Sequence, residues 1–321
     1  MLKKGRRKNW FIIRKNIKTV QFIIGILIIL VIFIKVNPIE TFRILFSVNL
    51  TFFILSIICY LILNLSHAIR LKIALKYLNY NVKLIDTFQA QSFGMLLGDI
   101  TPARVGYASV TYPLKKRNKV PITRTMSAIA IYQGIEFLLK GLQGVLGVLF
   151  LLWFFVLSGE ILYISIVALL FAVMLGMLLL ILPTHKFVKT LKIMKKLTAG
   201  KLNLNFFEEI QKNSKILTKR AILPIFFLTF IGWFIRATEW FFIGKALGLN
   251  ISWIFCLFLH PIMSALTFVP FSPAGLGIYE GAIILMFSLF SISPTSALAF
   301  SFLDRINNIL TDSYAIKEVF K

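Results

Sequence analysis

The 321 residues are 58% hydrophobic and only 15% charged, with a mean hydropathy of +0.85; a soluble domain would carry about 25% charge, so a water-soluble enzyme or binding module is excluded and the chain reads as an integral membrane protein. Its charge is lopsided, 36 Lys and Arg against 12 Asp and Glu, but the basic residues fall between apolar stretches, which points to membrane surfaces and away from nucleic acid. Cys59 and Cys256 lie inside apolar stretches, and His67, His185 and His260 share no ligand spacing with a carboxylate, so no disulfide framework, metal site or cofactor is expected.

The first 18 residues are basic, and an apolar run from Thr19 to about Val36 has no small-residue cleavage site, which reads as an uncleaved anchor helix over 19–36. Further spans are expected at roughly 46–66, 125–157, 161–182, 221–247 and 295–316, each long enough for a ~30 Å apolar core at ~1.5 Å per residue. Between them, about 84–120 and about 253–290 are apolar but broken. Each carries one short phrase, Thr101-Pro102-Ala103-Arg104-Val105-Gly106 and Ser272-Pro273-Ala274-Gly275-Leu276-Gly277. Upstream stands a second echo, Lys76-Tyr77-Leu78-Asn79-Tyr80-Asn81-Val82 against Lys245-Ala246-Leu247-Gly248-Leu249-Asn250-Ile251, and the offsets of 171 and 169 residues nearly agree. That is an internal repeat, and broken helices at matched positions in two halves point to a substrate site.

Each broken segment could be one span, two spans or a hairpin. With two re-entrant hairpins and a cytoplasmic N-terminus, the inside segments 1–18, 67–83, 113–124, 183–220 and 317–321 collect 29 of the 36 Lys and Arg, while the outside loops hold only Lys35 and Arg43, as the positive-inside rule requires. The expected fold is therefore an all-α polytopic membrane protein of about six transmembrane helices plus two re-entrant helical hairpins in an inverted repeat. The first repeat covers 46–157 with a cytoplasm-facing hairpin; the second covers 221–321 with an exterior-facing one. A helix and a basic cytoplasmic loop over 161–220 join them, both termini are cytoplasmic, and the location is the plasma or inner membrane. The loop 183–220 holds ten Lys and Arg and two acids, with apolar positions at Leu191, Ile193, Leu197, Leu202, Leu204 and Phe206. It reads as a basic amphipathic surface helix attracting anionic lipid headgroups, at ~1 kcal/mol per basic residue, or as a solvated connector.

Charged side chains inside spans cost about 2.5–3.5 kcal/mol each on insertion scales and are functional candidates by default. Glu136 and Lys140 are four apart in the favoured order, and Arg236 and Glu239 are three apart. Asp304 and Arg305 are adjacent, so they point about 100° apart on a helix and need partners elsewhere. These groups either neutralise one another and fix helix packing, or line a path for a polar headgroup. At the hairpin tips, Thr101, Pro102, Gly106, Ser272, Pro273, Gly275 and Gly277 suit a half-helix ended by proline, close backbone approach at glycine, and a following half-helix whose free N–H groups face phosphate. Arg104 adds a bidentate phosphate partner, and Glu280 an acceptor for an amine or hydroxyl. No nucleophile elbow, P-loop, H-E-x-x-H or CxxC pattern is present. The small-x-x-small steps Gly141, Gly144 and Gly147 suit tight helix packing or a homodimer.

The segment Thr101 to Leu114, and Pro270-Phe271-Ser272-Pro273-Ala274-Gly275-Leu276-Gly277-Ile278-Tyr279-Glu280 set against a Pro-Gly-Gly-x-Gly-x-x-Glu signature, resemble the lysylphosphatidylglycerol synthase transmembrane-region family, a flippase-like membrane domain. The chain departs from that family at Tyr107 and Val110, where Glu and Arg are usual, and at Phe137, which breaks a Glu-Arg pair. The resemblance implies a transporter of an anionic phospholipid or polyprenyl-phosphate-linked lipid, with membrane lipids as partners and no lysyl-transfer domain in these residues. The alternatives are a membrane-embedded transferase acting on a lipid-linked sugar or aminoacyl donor, alone or beside a soluble transferase partner, and a non-catalytic scaffold.

Overall fold

The computed structural model describes residues 23, 25–155, 159–181, 204–268, 272 and 275–316, and among these every regular element is helical. The basic N-terminus 1–18, most of the basic loop (182–203), the tip residue Pro273 and the last five residues lie outside the described residues.

Helix α1 (Gly25–Lys35) and α2 (Pro38–Phe46) meet at 92°. The break follows from local chemistry: Asn37 caps α2 by accepting from the Glu40 N–H, and Pro38 needs no donor in the first turn. Then come α3 (Leu50–Tyr77), α4 (Leu84–Asp99), a 3-10 turn (Val105–Val110), α5 (Thr111–Asn118), α6 (Ile122–Phe154), α7 (Gly159–Ile181), α8 (Leu204–Arg220), α9 (Ile222–Ala246), α10 (Trp253–Leu266), α11 (Ile278–Ser288) and α12 (Pro294–Ser313). By length and composition α3, α6, α7 and α9 can each cross a membrane, and the bent pair α1–α2 makes a fifth if it counts as one span. The remaining expected crossing is α12. Its 20 residues are long enough, but it buries Asp304, Asn307, Asn308, Thr311 and Asp312 and is too polar to qualify by composition. Its polarity faces the protein interior.

Both broken segments fold as hairpins. α4 descends, the chain turns through Ala103 and Arg104 at φ near +50°, and the 3-10 turn and α5 return beside it. The mouth is zipped by polar bonds: Arg117 Nη1 donates to Gln89 Oε1 at 2.6 Å, and Asn118 Nδ2 to Asp86 Oδ2 at 2.9 Å. In the second hairpin α10 and α11 pair through rings, with Phe255 at 5.4 Å from Phe287 and 3.8 Å from Phe290. Each segment thus starts and finishes at one end of the bundle.

Those ends are opposite. α3 and α9 run antiparallel, because the Asn49 N–H donates to the Ala246 carbonyl at 2.8 Å, Phe52 stacks on Phe242, and Arg70 reaches Thr229. The first hairpin leaves the end of α3 and the second the end of α9. The two sequence echoes make one and the same turn: Asn79 and Gly248 adopt φ of 66° and 70°, and the Tyr80 and Leu249 N–H groups each donate at 2.9 Å to the carbonyl five residues back. A left-handed residue just past a helix end is how such helices are closed.

The glycine steps of α6 are spent inside the chain. Gly141 and Gly144 face Val173 and Leu169 of α7, and Gly147 faces the Phe258 carbonyl of α10. The described part of the basic loop, α8, lays Ile210 and Leu217 against the bundle, and the Ser127 hydroxyl approaches the Ile210 carbonyl at 3.4 Å. Leu191, Ile193, Leu197 and Leu202 of that expectation lie outside the described residues.

Candidate functional site

The apolar interior is divided. One core joins α7, α9, α10, α11 and α12 to the later part of α6; the other joins the last turns of α3 and the first half of α6 to α4, the 3-10 turn and α8. Where they part, polar side chains from α3, α4, α6, α9, α10, α11 and α12 converge.

Glu136 on α6 holds two cations. Its Oε2 accepts from Arg70 Nη2 at 2.9 Å, and its Oε1 lies 2.9 Å from Lys140 Nζ. Arg70 also donates to Thr229 Oγ1 at 2.7 Å. Arg236 on α9 does the reverse, holding two acids, Glu239 at 2.5 Å and Asp304 at 3.0 Å, and it also donates to Asn308 Oδ1 and His260 Nε2. Asp304 accepts in addition from the Tyr279 hydroxyl at 2.7 Å, and Arg305 donates to Glu280 at 2.5 Å. The two adjacent charges of α12 therefore find separate partners, on α9 and on α11.

The neighbourhoods of the two hairpin tips meet here. Arg104 pairs with Asp99, and its guanidinium stands 5.6 Å from the Phe268 ring centroid; Lys140 Nζ is 5.1 Å from the same ring. Two cations thus stand by one aromatic ring just past α10, each attracted to it.

Around these groups lies a partly open cavity of about 120 Å³, well above the ~10–15 Å³ that one water needs. Arg104, Glu136, Lys140, Arg236, Asp304 and Arg305 all line it. Glu239 and Glu280 do not: both are fully buried and hold Arg236 and Arg305 from behind. The wall consequently presents five cations, with Arg70 among them, against the three acids Asp99, Glu136 and Asp304. With the two acids behind included, the cluster is balanced, yet the surface that an entering group meets is positive.

The tips themselves differ from expectation. Several of their N–H groups are already engaged: Gly106 N–H donates to Thr101 Oγ1 at 2.8 Å, Tyr107 N–H to the Arg104 carbonyl, and Gly277 N–H to Glu280 Oε2 at 2.6 Å. Glu280 caps its own helix and accepts from Arg305, so its carboxylate is committed within the protein. Thr101, Pro102, Gly106, Ser272, Gly275 and Gly277 shape the turns and do not line the cavity. Gly106 is needed because a Cβ there would collide with the Leu97 carbonyl, and Gly277 because φ is +84° and Ile28 lies against it. Ser272 Oγ donates to the Leu276 carbonyl at 2.7 Å.

Sequence reading missed Arg70, Tyr60, His67, Asp99, His260 and Tyr279, all of which line the cavity. The expected cytoplasmic loop beginning at 67 contains His67 and Arg70, whereas α3 continues to Tyr77. The echo at 76–82, which marks the end of α3 as it marks the end of α9, was the available signal.

A family model for the lysylphosphatidylglycerol synthase TM region matches residues 19–313. The chain is similar to the UPF0104 membrane protein MJ1078 of Methanocaldococcus jannaschii, 29% identical over 66% of this chain and 87% of that protein. It is also similar to MJ1595 of the same organism, at 23% over 90% and 89%, and to PH1989 of Pyrococcus horikoshii, at 24% over 90% and 92%.

Proposed function

Because the chain belongs to the lysylphosphatidylglycerol synthase transmembrane-region family, we propose that it moves an anionic lipid, a phospholipid or a polyprenyl-phosphate-linked one, between the leaflets of the plasma or inner membrane. The observation that carries this reading is the positive wall between the two hairpins: a phosphate can enter there against Arg104, Lys140 and Arg236 while its apolar tails remain in the bilayer. The two halves form an inverted repeat about this cavity, a reading supported by the antiparallel α3 and α9 and by hairpins entered from opposite ends. The termini are cytoplasmic, supported by the asymmetry of Lys and Arg, and the basic stretch 183–220 rests on anionic headgroups.

Reconstitution into liposomes with a fluorescent anionic phospholipid tests this. The wild-type protein should equilibrate the label between leaflets. Arg104→Ala should be slower by about tenfold or more, the equivalent of one charge-assisted hydrogen bond at ~1.5–3 kcal/mol. Label movement no faster than in protein-free vesicles, for every anionic lipid tried, would sink the reading. A covalently altered lipid found by mass spectrometry would favour a transferase instead.

A further inference from the structure

Beyond Tyr60, and not on the cavity wall, α12 buries a carboxylate that the cluster above does not use. Asp312 is fully buried, with Tyr60 Oη donating to its Oδ2 and Asn64 Nδ2 to its Oδ1, each at 2.8 Å. Among the described residues no Lys or Arg pairs with it. Asp99 of α4, a like charge, acts on it, and the Ser92 hydroxyl of α4 stands beside it. One buried oxygen at this spot, Asn64 Oδ1, has no formed hydrogen bond of its own.

A carboxylate in an apolar interior without a countercharge is unstable as a bare anion. It recruits a cation, and the smallest is a proton. A carboxyl proton would also supply the donor that Asn64 Oδ1 lacks. Resting on the reading that the cavity receives an anionic headgroup, we infer that Asp312 takes up a proton that travels with the lipid.

The linkage runs through Tyr60, which lines the cavity on one side and bonds Asp312 on the other. Arg236 stands 5.4 Å from the Tyr60 ring centroid, and one of its hydrogen-bond partners, Asn308, lies one turn before Asp312 on α12. With the cavity empty, the charge of Arg236 is already shared with Glu239 and Asp304. A phosphate that engages Arg236 adds negative charge one side chain from Asp312, which favours the protonated carboxyl. By linkage, proton and anion bind together. The step is Asp312 carboxylate plus a proton from water giving the neutral acid, reversed on the other face, and with a monoanionic head the pair crosses without net charge. The surrounding elements present few other titratable groups. α3 offers Tyr60, α4 offers Asp99, and α9 offers Arg236 through Tyr60. α11 commits Tyr279 and Glu280 to Asp304 and Arg305, and α2 carries Glu40 and Arg43, whose side chains form no bond to α12 among the described residues.

Two measurements decide. Infrared difference spectroscopy on purified protein, as pH is varied, should show a carboxylic-acid band that titrates and that Asp312→Asn removes; no such band, or one that never titrates, overturns the inference. In liposomes, a pH gradient of about one unit should drive wild-type accumulation of the labelled anionic lipid up to about tenfold in one leaflet. Asp312→Asn should show no response to the gradient, and Asp312→Glu, which keeps the acid, should retain it and controls for folding. Lipid movement indifferent to the gradient overturns the coupling and leaves the transport reading standing. A response to a sodium gradient in place of pH also overturns it, and no lipid movement at all overturns both.

Discussion

Glu136 is the residue on which two buried cations depend, since Arg70 and Lys140 each reach one of its oxygens. Removing one partner of a buried pair leaves the other charged and unpaired, at a cost of about 3–5 kcal/mol. Glu136→Gln should therefore lower stability by about that amount, whereas Lys140→Met, which leaves Glu136 with Arg70, should lose clearly less. Thermal unfolding in detergent, followed by a thiol-reactive dye at buried Cys256, measures both, and equal losses would contradict the shared role. At this scale the chain itself disclosed a good deal. The adjacency of Asp304 and Arg305 required outside partners, and the structure supplies Arg236 and Glu280. The front-and-back distinction was not legible, because a carboxylate facing a cavity and one bracing an arginine from behind have the same spacing along a helix. Asp312 lies in an expected span with no adjacent charge in the sequence to mark it.

At the scale of elements, glycines set how closely backbones approach. Gly106 lies on the Leu97 carbonyl at the first tip, and Gly147 on the Phe258 carbonyl where α6 crosses α10. Backbone cannot yield as a side chain can, so Gly106→Ala and Gly147→Ala should each cost about 1–3 kcal/mol, as overpacking does. Gly144→Ala, which meets only the end of the Leu169 side chain, should cost less. Comparing the three melting temperatures in one detergent checks this, and a Gly144 variant as damaged as the others would count against it. The helix ends at Tyr77 and Ala246 were written in the paired echoes, where Asn79 and Gly248 are residue types that tolerate φ > 0. The role of the glycine steps on α6 was not, since packing within a chain and between chains asks for the same small residues.

For the whole molecule, the antiparallel α3 and α9 place the two hairpin mouths at opposite ends. Single cysteines introduced at Asn118 and at Ser291, in a background lacking Cys59 and Cys256, should react with a membrane-impermeant reagent from opposite faces of oriented vesicles. Labelling of both from one face would contradict the inverted arrangement. Composition and the order of charges along the chain were enough to determine an all-helical membrane protein with two broken segments, because burying a helix in lipid demands long apolar runs and leaves basic residues at one surface. Which charges meet, which face the cavity and which stand behind it, only the tertiary structure decided. Those pairings join α3 to α6 and α9 to α12, and they depend on how each helix is rotated about its axis by its neighbours, a quantity that no single helix carries in its own sequence.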